Sequence, residues 1–112
     1  MMKTIAEKIM HTKIIKTKKK IQERIKILEA KLMQNNKDQK ALDDFQKELF
    51  EIRKDLRSWP TSPKMNLAVR RIDDILSIVH AGYLILHEEN GKREIDPKKM
   101  VISMKLKISR IN

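Results

Sequence analysis

The residues best suited to proton transfer or metal ligation are His11, His80 and His87, the last two with Glu88 and Glu89 nearby. A metal site needs its ligands to converge on one point, and nothing in this spacing forces that. There is no glycine-rich phosphate loop and no nucleophile elbow. The chain has no cysteine, which excludes a disulfide scaffold and a thiolate zinc site. No catalytic residue, metal, cofactor or small-molecule substrate is therefore assigned, and the chain is read as a non-enzyme. The chemistry that the residue types do support is attraction of cations to phosphate. The net charge is +11, which says nothing about fold but predicts attraction to polyanions. Nucleic acid is the first candidate and an anionic membrane the second.

The charge is unevenly placed. Residues 1–35 carry net +7, residues 36–60 zero, residues 61–90 −1 and residues 91–112 +5. Basic ends on a neutral middle suit phosphate binding better than uniform solubilising charge does. The candidate contacts are Lys13, Lys16, Lys18, Lys19, Lys20 and Arg24 near the start and Lys64, Arg70 and Arg71 in the middle. Lys92, Arg93, Lys98, Lys99, Lys105, Lys107 and Arg110 complete the set near the end. The plainer reading of the same residues is a solvated helix face.

The elements that must position these residues are helices. Between Ala41 and His80 two apolar stripes recur at spacings of three and four. Leu42, Phe45, Leu49, Ile52 and Leu56 form one; Met65, Ala68, Ile72, Ile75 and Val79 form the other. Pro60 and Pro63 break helix between them. Two one-faced helices with a short connection fold antiparallel to hide their stripes. Leu49 is expected near Ile72, with Trp59 as an apolar plug at the bend. Upstream, Ile14, Ile21, Ile25, Leu28 and Leu32 trace a further stripe through a segment without proline or glycine until Asn35–Asn36. Asp38 is placed to cap the second helix and Pro63 to open the third. The third helix either runs on towards Glu89 or stops at Gly82. Asn90–Gly91 reads as a turn. Asp96–Pro97 reads as a cap and first-turn proline, favouring helix over strand for the stripe Val101, Met104, Ile108 and Ile111. Glu48, Glu51, Arg53, Lys54 and Asp55 read as local ion pairs on one exposed face. Asp73 and Asp74 are free to pair with a neighbouring helix.

The expected fold is all-α: a basic N-terminal helix over residues 1–36, a long antiparallel helical hairpin over 37–90 and a short basic C-terminal helix over 91–112. A bare hairpin buries little of its own surface, so a partner is expected to complete its core. No apolar run approaches the ~20 residues of a membrane span, and the start lacks the apolar block of a secretory signal. That start is basic and amphipathic like a mitochondrial presequence, but it carries Lys where Arg is usual, and it contains Glu7.

The run Leu42-Asp43-Asp44-Phe45-Gln46-Lys47-Glu48-Leu49-Phe50-Glu51-Ile52-Arg53 resembles the first long helix of a large-subunit ribosomal protein family, number twenty-nine in the bacterial series and thirty-five in the older eukaryotic one. Val69-Arg70-Arg71-Ile72 and Leu76-Ser77-Ile78-Val79 resemble its second helix. Glu94-Ile95-Asp96-Pro97-Lys98-Lys99 resembles the start of the eukaryotic C-terminal extension. Asp73 and Asp74 depart from the family pattern, and residues 1–40 match it poorly. The resemblance implies a structural constituent of the cytoplasmic ribosome that binds large-subunit rRNA near the nascent-chain tunnel exit, beside neighbouring ribosomal proteins. Two other classes fit the residues. One is a small phage or plasmid DNA-binding protein, a dimer whose basic helix at 13–26 lies on duplex DNA. The other is a protein–protein adaptor or bacteriocin-immunity-like bundle, in which the stripes bury one another and the charge is incidental.

Overall fold

The computed structural model describes residues 5–88 and 93–111. The turn expected at Asn90–Gly91 and the candidate contact Lys92 lie outside them. Four helices follow in order: α1 (Ile5–Gln34), α2 (Gln39–Arg57), α3 (Pro63–His87) and α4 (Pro97–Ser109). The fold is all-α, as the stripes predict.

The helix starts follow the local chemistry. Asp38 accepts from the Ala41 amide, Ser62 from the Met65 amide and Asp96 from the amides of Lys98 and Lys99. Each supplies an acceptor to a first-turn N–H that has no partner inside its own helix. Pro63 and Pro97 stand at first helical positions, where the missing N–H costs nothing. α3 passes through Gly82 and ends at His87. The segment after Asp96 is helix and not strand.

The helices form a ring. α1 packs on α2, α2 on α3, α3 on α4, and α4 returns to α1, leaving α2 and α4 on the diagonal. α2 and α3 make the expected antiparallel hairpin, and both stripes are buried. Their register is set by two ties: Arg53 pairs with Asp73 at 2.6 Å, and ten residues away on each helix Tyr83 donates to Asp43. Leu49 and Ile72 are both fully buried in the shared core.

The hairpin does not wait for an outside partner. α1 contributes Ile14, Ile21, Ile25, Leu28 and Leu32 to the same core, and α4 contributes Met100, Val101, Met104 and Ile108. α4 is held at both ends: the Ile95 amide donates to the Asn36 carbonyl at 3.2 Å, and Lys18 Nζ donates to the Ile111 carbonyl at 3.1 Å. At Gly82 the helices come so close that an added Cβ would lie 2.6 Å from Met100 Cε and 3.4 Å from Leu42 Cδ1. The nearer atom is the movable end of a flexible side chain, so the site is tight without demanding glycine. The result is a rod of 56 × 19 × 18 Å.

Candidate functional site

The cations fall into two groups according to what stands beside them. Along the α1–α2 seam, α2 supplies acids at each level. Lys13 pairs with Asp55, Arg24 with Glu48 at 3.6 Å and Lys31 with Asp44 at 3.9 Å. Lys13 also lies over the Trp59 ring, 5.8 Å from its centroid, and Trp59 packs half-buried against the core at the bend. Asp44, Glu48 and Asp55 of α2 are thus matched across helices. The expectation of local pairs along one exposed face is corrected, because α1 and α3 lie within reach of α2 on either side. Arg53 in turn is taken by Asp73 of α3.

Other candidates are also engaged. Arg71 pairs with Asp74 one turn on, at 3.0 Å. Arg93 pairs with Glu88. Lys18 is committed to the Ile111 carbonyl. The remaining candidates among the described residues carry no ion pair: Lys16, Lys19 and Lys20 on α1, Lys64 and Arg70 on α3, and Lys98, Lys99, Lys105, Lys107 and Arg110 on or just after α4. All of these are exposed except Lys107, which is half-buried. The Lys18–Ile111 bond draws the end of α4 to the middle of α1, so Lys19, Lys20, Lys107 and Arg110 belong to one level of the rod. α4 bears no acid after its cap, Asp96. That is why this side stays uncompensated while the α2 side is neutralised.

Two features were not legible in the sequence. Tyr83 is tied to Asp43; burial, and next the bond to that carboxylate, hold its phenol above its ordinary pKa. His11 Nδ1 and Arg71 Nε are buried without a hydrogen-bond partner among the described residues. His80 and His87 are exposed on α3, far along the chain from His11, and no group of three or more His, Asp or Glu among the described residues is arranged to hold a metal. No described helix is long and apolar enough to cross a membrane.

No family model, curated protein or solved structure matches the chain.

Proposed function

We propose that this protein is a self-completing helical bundle that acts by binding a protein partner, of the adaptor or bacteriocin-immunity type. One observation carries the reading: the apolar stripes of α1 and α4 cover those of the hairpin, so that all four helices share one core. A hairpin adapted to lie on RNA would present a face for the RNA to cover. Here that face is already filled, and Arg71, a candidate phosphate contact, is paired with Asp74.

A second reading is favoured by the uncompensated cations of α1 and α4: a structural role on large-subunit rRNA, as the ribosomal resemblance implies. Lysines on exposed helix faces bind backbone phosphate by counterion release, without reading sequence. The two readings part under salt. On the protein-binding reading, association with large ribosomal subunits is charge-driven only and disappears when co-sedimentation is repeated in high salt. A chain retained on large subunits under those conditions would put the ribosomal reading first.

A further inference from the structure

The outward face of α4 joins an apolar crest to uncompensated charge. Ile102 and Leu106 stand one turn apart, so they share one line of the helix. Both are turned from the core, exposed at 59% and 55%. The opposite line, Met100, Val101, Met104 and Ile108, is the one that packs, so the bundle does not use these two side chains. Lys98 and Lys99 precede the pair, Lys105 stands between them and Arg110 follows, all exposed. The acids next to this segment are already engaged. Glu94 accepts from Asn36 Nδ2 at 2.8 Å, and Asp96 accepts from the amides of Lys98 and Lys99. Along α1, which Lys18 ties to the end of α4, Lys16, Lys19, Lys20 and Lys26 outnumber Glu23 and Glu29.

We propose that this face of α4 docks the protein on an anionic lipid surface. Ile102 and Leu106 enter the headgroup region, and the surrounding lysines and Arg110 meet lipid phosphates. The contact is separate from the protein-binding role above and does not depend on it. An apolar line flanked by cations is the pattern of a helix lying in the plane of a membrane interface. Lysine stems run along the apolar layer while their ammonium groups stay at the phosphates, and each cation adds to the attraction of an anionic leaflet. The attachment is peripheral, because no described helix is long and apolar enough to cross a membrane. Nucleic acid would satisfy the charge but would press Ile102 and Leu106 against phosphate, with nothing apolar to receive them. A protein partner would have to fit a convex ridge and immobilise its lysines, at a cost in side-chain entropy; a deformable lipid surface leaves them mobile. Phe50 on α2 provides the contrast. It is 50% exposed, but Asp43 and Glu51 stand around it with Lys47 and Lys54, so apolar exposure there comes without a cationic surround.

The test is co-sedimentation of the full chain with two kinds of vesicle, phosphatidylcholine alone and equal parts phosphatidylcholine and phosphatidylserine. The chain should bind the anionic vesicles and not the neutral ones. The double variant Ile102→Gln, Leu106→Gln keeps every cation and alters only exposed positions, so it should melt as the wild type does while its vesicle affinity falls at least tenfold. Phe50→Gln should leave that affinity within twofold. The chain has no cysteine, so Ser109→Cys and Ser77→Cys can each carry one environment-sensitive fluorophore. The label on α4 at 109 should shift to the blue on anionic vesicles, and the label on α3 at 77 should not. Equal binding to neutral vesicles, no binding to anionic ones, or undiminished binding of the double glutamine variant would overturn the proposal. Loss of RNA binding in that variant with vesicle binding intact would overturn it in favour of nucleic acid.

Discussion

The two ends of this rod share three helices and differ by the fourth. At the end holding Asn36 and Gly82, α4 closes the ring and the core runs through all four helices. At the end holding Met10 and Trp59 the described residues supply α1, α2 and α3 alone, and α1 leaves Ile5 and Ile9 exposed at 78% and 52%. The core at the first, closed end draws on four helices and at the second, open end on three, where Leu56, Met65 and Ala68 are still buried; large apolar side chains are exposed at both, Met33 and Leu84 at one and Ile5 and Ile9 at the other. The lysines of α1 differ in the same way: they are paired where α2 brings acids, and along α4 they meet no acid, Lys18 bonding instead to the Ile111 carbonyl.

The largest effect is expected at the shared centre. Leu49 is fully buried, and Leu49→Asp would place a charge there with no partner. It should cost about 4 kcal/mol or more, read as loss of the urea transition. Phe50→Asp, one position off the stripe and half exposed, should change stability by about 0.5 kcal/mol or less. Similar losses for the two would mean that α2 does not present the stripe described.

A second pair of variants compares the ends directly. Met104 of α4 is fully buried at the closed end. Met104→Ala should cost about 3 kcal/mol by lost burial and the cavity left behind, whereas Ile9→Ala at the open end should cost under about 0.5 kcal/mol. Equal urea midpoints for these two variants would erase the distinction between the ends.

The smallest effect is a pH dependence confined to the closed end. The Tyr83 phenol is held above its ordinary pKa by burial and by Asp43, whereas the unfolded phenol ionises near pH ~10. Above that pH the unfolded chain gives up this proton before the folded chain does. Stability from Tyr83 is therefore present at neutral pH and is lost as pH rises past about 10. Thermal melts in alkaline buffers should fall more steeply for the wild type than for Tyr83→Phe. Parallel curves would mean that the Asp43 bond does not form.

Much of the fold was legible because it is local. The stripes of α2 and α3 show their period in the sequence, and Asp38, Ser62–Pro63 and Asp96–Pro97 mark helix starts by side-chain chemistry alone. Asp96–Pro97 also decides for helix where Met104, Leu106 and Ile108 alternate like a strand. What could not be read was which helix each face meets. The stripe of α1 announces burial without naming the hairpin as its partner. Lys13 and Asp55 are distant in sequence, so their pairing follows only from the fold. Glu48, with Arg53 and Asp55 nearby, reads as local pairing until Arg24 of α1 is found beside it.

The central claim is that the four helices complete their own core. Scanning calorimetry of the free chain, alone and with large-subunit rRNA fragments, tests it most directly. The account predicts a single cooperative transition of a monomer without RNA, with a calorimetric enthalpy equal to the van't Hoff value and a midpoint that RNA does not raise in high salt. A broad, non-cooperative melt that sharpens and moves up only when rRNA is added would contradict it.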